Sequence, residues 1–234
     1  ATDRILETLD RHGVTATFFS LGWIARRYPH VLRHIDALGH DFGTHGHAHR
    51  LLSDLRPAEF EADLVDSLHA IEDAIGRGVR AYRAPGFSLT PRTTWAVDIL
   101  LDHGIEVDSS VFASHRSHGG WPGGPDGPCW LRSGSGRLRE LPVTPGWWAG
   151  LPVPYSGGGY FRLLPYGMSR RLMRQQAYAM TYFHPRDFDA EQPRLPRMGP
   201  VRRFRAYVGL RTALDKLDRL LTDFEFVNVT TAIE

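Results

Sequence analysis

Short runs of β-branched and aromatic residues alternate with amphipathic stretches of helical period along almost the whole chain. That alternation restricts it to an α/β architecture assembled from β/α units, because nearly continuous apolar strands must be covered on both faces. Residues 2–12, TDRILETLDRH, carry Ile5, Leu6 and Leu9 at helical spacing; Gly13 stops the helix and VTATFFSL follows as a strand. The cycle repeats: WIARRYPHVLRHIDALG predicts a helix, HDFGTH a strand, PAEFEADLVDSLHAIEDAIG a long helix with Pro57 in its first turn, and VRAYRAP a strand. PRTTWAVDILLDHG (helix), IEVDSS and LRELPV (strands) come next. Beyond a Gly/Pro-rich irregular stretch at 115–160, GMSRRLMRQQAYA predicts a helix, MTYFHP a strand, LRTALDKLDRLLTDF a helix and EFVNVT a last strand. Seven strand candidates in a chain that opens on a helix predict a distorted (β/α) barrel lacking its first strand, with a doubly wound open sheet as the alternative.

Composition narrows the classes further. With 42% hydrophobic and 23% charged residues in 234, the expectation is one globular domain over 1–234, with 115–160 as an irregular insertion. The 28 Lys and Arg nearly balance 26 Asp and Glu, and no basic tract or recognition module points to nucleic acid. Cys129 is alone, so no internal disulfide forms, and no apolar run is long enough for stable membrane insertion. The expected compartment is the cytoplasm or the periplasm, the cytoplasm slightly favoured. The oligomeric state is not legible.

Polar residues cluster where predicted strands end. His45, His47 and His49 follow the strand at 40–43; Arg83 and Pro85 end the next; Asp108, Ser109 and Ser110 end a third; His184 and Pro185 end a fourth. In β/α proteins that C-terminal edge is where sites are built. His45 and His49, four residues apart, can converge on one point from a helical turn or a tight loop, as metal ligands do.

In this order and context the motifs resemble those of the polysaccharide deacetylases, the family 4 carbohydrate esterases. HGHAH at 45–49 resembles the family's His-x-x-x-His motif, which implies His45 and His49 as metal ligands. RAPGF at 83–87 resembles its Arg/Pro motif, in which the arginine, here Arg83, orients the catalytic base. DSSVF at 108–112 resembles the groove motif whose aspartate, here Asp108, supports the catalytic histidine. FHP at 183–185 resembles the motif that carries that histidine, which implies His184 as the general acid. GGGYFRLLPY at 157–166 and RFRAYVGL at 203–210 resemble the branch associated with bacterial exopolysaccharide gene clusters.

The resemblance implies a distorted (β/α) barrel and hydrolysis of acetyl groups, here the N-acetyl amide of a bacterial polysaccharide or oligosaccharide. It also implies a divalent ion, with zinc favoured. Phe87, Trp95 and Tyr160 are the candidates to stack on sugar faces, and Gly157 to Gly159 to let backbone approach the substrate. One element of the family pattern has no counterpart in these residues: the Asp-Asp or Asp-x-x-Asp segment that supplies the general base and a third metal ligand. It is expected on a first strand ahead of Thr2. Two alternatives stand beside the deacetylase: a related hydrolase of cyclic amides or ureides, and a carbohydrate-binding protein without turnover.

Overall fold

The computed structural model describes residues 1–115 and 118–233. In chain order the regular elements are α1 (Thr2–Arg11), β1 (Thr17–Ser20), α2 (Gly22–Arg27), α3 (Pro29–Ala37), β2 (Asp41–Thr44), α4 (Pro57–Ile75), β3 (Ala81–Tyr82), α5 (Ala96–Asp102), β4 (Val107–Asp108), β5 (Cys129–Arg132), β6 (Arg137–Glu140), β7 (Gly146–Trp148), β8 (Leu151–Val153), α6 (Gly158–Leu163), α7 (Tyr166–Arg174), α8 (Pro200–Tyr207) and α9 (Leu210–Asp223). They fall into two compact units. One holds Thr15–Val143 and the chain from Val227 onward; the other holds Ala1–Val14 and Thr144–Phe226.

The first unit is a six-stranded sheet in the order β1-β2-β3-β4-β6-β5, parallel throughout except for β5, which pairs antiparallel with β6. Its register has a simple consequence. Ser20 stands opposite Thr44, Thr44 opposite Tyr82, Tyr82 opposite Asp108 and Asp108 opposite Glu140, so the C-terminal residues of five parallel strands form one row. The core beneath it is dry: Phe42, Leu64, Ile71, Ala81, Leu100 and Val107 are all buried to within 1% of full burial. At about 25 cal/mol per Å² of apolar surface removed from water, such side chains are the main favourable term in folding this unit.

α4 follows its sequence signals closely. Pro57 occupies the first turn, Glu59 closes a capping box with Arg56, and Gly76 ends the helix in the left-handed conformation at φ 74°. The Glu59 carboxyl is held down to about 2, first by its bond to the Arg56 side chain and then by the Arg56 backbone amide.

Several expected elements differ. The segment 23–39 is two helices, because Pro29 cannot donate to the preceding turn and instead begins α3. EFVNVT at 225–230 is not a strand. It is fastened to β1 and β2 through side chains: the Val229 amide donates to Thr17 Oγ1 at 2.8 Å, Asn228 to Thr15 Oγ1 at 3.1 Å, and Thr230 to Asp41. MTYFHP at 180–185 is extended with a single bridge, Tyr182 to Gly157. The stretch 115–160, expected to be irregular, contains β5, β7 and β8 besides β6; Arg116 and Ser117 within it lie outside the described residues.

In the second unit β7 and β8 form a hairpin turned by Ala149 and Gly150, both at positive φ (49° and 77°), the pairing a two-residue hairpin turn requires. α9 and α1 carry apolar stripes of Leu210, Ala213, Leu217, Leu220 and of Ile5, Leu6, Leu9. His12 and Arg11 at the end of α1 both reach Asp218 of α9, at 3.1 and 3.0 Å.

Candidate functional site

One residue beyond the row of strand ends, side chains and carbonyls of the first unit are bonded to one another. His45 continues the ladder, its amide donating to the Ser20 carbonyl at 2.8 Å. Its Nδ1 lies 2.6 Å from the carbonyl oxygen of Arg83, the residue after β3. A carbonyl only accepts, so Nδ1 carries the proton and Nε2 is the nitrogen suited to a metal, the arrangement that orients most metal-bound histidines. His49, exposed and at φ 57°, turns its ring back so that the two centroids are 5.1 Å apart at 73°.

The tight loop between them is fixed by a residue the sequence reading passed over. Asp63 on α4 accepts the amides of His47 and Ala48 at 2.6 and 3.2 Å, and Gly46 at φ 74° leaves room for that carboxylate, which a Cβ there would meet at 2.7 Å. His47 is half-buried, with its Nδ1 enclosed beside Gly22. His40 is buried and accepts the Ala16 amide at 3.3 Å, a local structural bond.

Two imidazoles on one tetrahedral ion, at metal to nitrogen distances of about 2.0–2.1 Å, have ring centroids about 5 Å apart, so the observed spacing fits a shared divalent ion. Among the described residues no group of three His, Cys, Asp or Glu side chains gathers to hold a metal. The pair would supply two donors to such an ion.

The Arg83 guanidinium donates to Ser109, Nε to the carbonyl at 2.9 Å and Nη2 to the hydroxyl at 2.7 Å, and lies 4.3 Å over the Phe19 ring. The Ser109 hydroxyl donates to the Leu141 carbonyl at 2.8 Å, and Ser110 Oγ accepts the Ala84 amide at 2.7 Å. Asp108, wholly buried, accepts Ser110 Oγ at 2.5 Å and faces the equally buried Glu140, whose Oε1 takes the Val111 amide at 3.0 Å. Burial is the largest influence on both carboxyls and raises both, and for Glu140 the neighbouring Asp108 raises it further. Two carboxyls facing each other in a buried site oppose each other's ionisation.

Phe87 is half-buried at φ 56° with its ring 5.5 Å from Phe112. Trp95 packs edge-on against Phe60 of the core at 5.7 Å, which makes it part of the layer between α4 and α5.

The second unit carries His184 and Tyr160. Tyr160 is 44% exposed on α6. Gly157 does not offer open backbone to a ligand: a Cβ there would lie 2.3 Å from the Tyr182 ring, so the chain's own side chain fills the space. His184 opens the 3-10 turn Pro185–Phe188, with its imidazole 63% exposed and Nδ1 3.6 Å from Asp187. Asp187 and its buried partner Arg162 were absent from the sequence expectations; the signal available was an acid three residues after His-Pro, the spacing of a capping box.

Comparison with known proteins follows this geometry. The polysaccharide deacetylase family profile matches residues 1–107, and that of a domain of unknown function, DUF3473, matches residues 109–234. The boundary falls inside the sheet just after β4 begins, so β5 and β6 of the second region complete the sheet of the first. A chitooligosaccharide deacetylase of Azorhizobium caulinodans is 36% identical over 85 residues, 36% of this chain and 40% of that protein. A peptidoglycan-N-acetylglucosamine deacetylase of Bacillus cereus is 30% identical over 98 residues, 42% of this chain and 36% of that protein. The chain thus spans about two fifths of the length of these curated relatives. A Mycobacterium smegmatis structure with a provisional polysaccharide deacetylase assignment superposes with a TM-score of 0.64 at 20% identity, covering 98% of this chain and 74% of that one.

Proposed function

Because the chain belongs to the polysaccharide deacetylase family, with a DUF3473 region completing its sheet, we propose that it hydrolyses the N-acetyl groups of a bacterial polysaccharide with the help of a divalent ion. The observation that carries this reading is the His45–His49 pair, set at 5.1 Å beyond the strand ends with Nδ1 of His45 on the Arg83 carbonyl. Two neutral imidazoles favour zinc among the ions available to such a site. When bound, the ion supplies a Lewis acid for the acetyl carbonyl and an acidified water.

The residues of the chain do the rest. His45 and His49 hold the ion through ring nitrogens, and Asp63 keeps their loop closed. Arg83 braces the β3 end against Ser109, which keeps the carbonyl under His45 in place. His184 gives its proton to the departing sugar nitrogen, a leaving group too basic to depart as the anion. Phe87 and Trp95 in the first unit and Tyr160 in the second are the aromatic faces offered to sugar rings. The resemblance of residues 157–166 and 203–210 to the exopolysaccharide branch favours an exopolysaccharide as the polymer. No described helix is long and apolar enough to cross a membrane.

The test is paired. His45→Ala in the full native protein is expected to lose bound metal, measured by elemental analysis, together with acetate release from chito-oligosaccharides or purified exopolysaccharide, by about 10²-fold or more. Metal content and acetate release that both survive the substitution would overturn the reading.

A further inference from the structure

His184 is exposed, yet the carboxylate behind it is not. Asp187 Oδ2 accepts the His184 amide at 2.9 Å and lies 3.6 Å from Nδ1 of the same residue, while the Asp187 side chain is only 6% exposed. The amide of Asp187 is itself spent on the His184 carbonyl at 2.8 Å, which leaves Nδ1 facing carboxylate oxygen. The other oxygen, Oδ1, receives Nε of Arg162 at 3.1 Å, and the Arg162 side chain is 4% exposed.

Arg162 is in turn saturated by the end of α8. Its Nη1 donates to the carbonyls of Ala206 at 3.2 Å and Val208 at 2.7 Å, and its Nη2 to that of Arg205 at 3.0 Å. These are terminal carbonyls that a helix cannot satisfy internally, at its negative pole. Gly209 at φ 67° permits the approach: a Cβ there would lie 2.1 Å from the Arg162 carbonyl oxygen. Burial alone would make Asp187 hard to ionise, but the bonds from His184 and the charge of Arg162 hold it below the usual carboxylate range.

We infer that Asp187, fixed by Arg162, is the positioning carboxylate of His184, holding Nδ1–H so that Nε2 faces the substrate. This rests on the deacetylase reading. The resemblance assigns that duty to Asp108, whose carboxyl in its own unit is engaged by Ser110 and Glu140. In the proton-transfer step the C–N bond of the acetamide breaks, its electron pair stays on nitrogen, and the Nε2 proton of the imidazolium moves to that nitrogen. The ring is left neutral, with its remaining proton on Nδ1 beside Asp187.

Nitrogen-15 NMR of the His184 ring in the native protein reads the pairing without any turnover. The neutral ring is expected as the Nδ1–H tautomer, moving toward Nε2–H in Asp187→Asn; a native ring already in the Nε2–H form overturns the inference with no variant needed. In kinetics Asp187→Asn is expected to lower kcat by about 10²-fold with KM changed less than about two-fold, and Asp187→Glu to restore most of the loss. His184→Ala separates the two levels. If it is inactive while Asp187→Asn keeps both its tautomer and its kcat, the positioning role falls and the deacetylase reading stands. If His184→Ala retains full acetate release, its role as the acid falls, and the tautomer measurement still decides the pairing.

Discussion

Two buried carboxyl sites in this protein are shifted in opposite directions, and the difference lies in their neighbours. At the sheet end Asp108 and Glu140 face each other, and both are raised by burial. Beside α8 Asp187 is almost as deeply buried, but it faces Arg162 and His184 and is held low. Burial raises all three, and the sign of the nearest charge decides the direction of the net shift. The two histidine sites divide in the same way. The His45–His49 loop is held through main-chain atoms, the Arg83 carbonyl and two amides on Asp63, whereas the His184 turn is held through a side-chain ion pair.

The ion-pair region can be broken hardest. Arg162→Met leaves Asp187 buried without its cation and three carbonyls without donors; the expected cost in denaturant unfolding of the full protein is about 3–5 kcal/mol. A loss under about 1 kcal/mol would mean that Asp187 is solvated after all and that the contrast is false. The main-chain-held loop should yield less. Asp63→Ala strands the amides of His47 and Ala48 and is expected to cost about 1–3 kcal/mol, while weakening metal retention by about 10–100-fold as measured by competition with a chelator. Unchanged metal affinity would show that the loop keeps its shape without α4.

The sheet-end pair is tested by pH. Because both carboxyls are raised, the stability they contribute is fully present below the unfolded carboxylate range, about pH 4, and is lost as pH rises through their raised values. Asp187 has the opposite sign: its contribution is present above that range and is lost as pH falls through its lowered value. Glu140→Gln, which keeps an acceptor for the Val111 amide, is therefore expected to flatten the decline in Tm that sets in as pH rises above about 4 and to leave the acid limb intact; a decline as steep as in the native protein would show that the facing pair does not set it. The smallest effect belongs to the surface. Arg80→Ala, which removes an exposed pair with Glu106 at 3.1 Å, is expected to change stability by no more than about 0.5 kcal/mol in the same assay.

How much was legible depended on range. α4 could be read to its ends because Pro57, Glu59 and Gly76 are local signals, and α9 because its apolar stripe keeps a helical period over 14 residues. The segments 180–185 and 225–230 misled because their apolar, β-branched and aromatic composition suits extended chain, while a strand also needs a partner edge, and one bridge or a few side-chain bonds are all they find. β7 and β8 were hidden by the glycines and prolines that build their hairpin.

That His45 and His49 lie near each other was legible from spacing, since four residues are few enough for two rings to meet, but the bonds to Asp63 and Arg83 that set their loop were not. Glu140 was not, because only the parallel register of β4 and β6 sets it opposite Asp108, 32 positions away. Arg162, 25 residues before Asp187, was equally invisible. The sequence by itself determined the β/α alternation, the long helices and the histidine pair, which depend on neighbours a few residues apart. Only the tertiary structure decided which carboxyls are raised and which is lowered, because desolvation and Coulomb interactions follow distance in space.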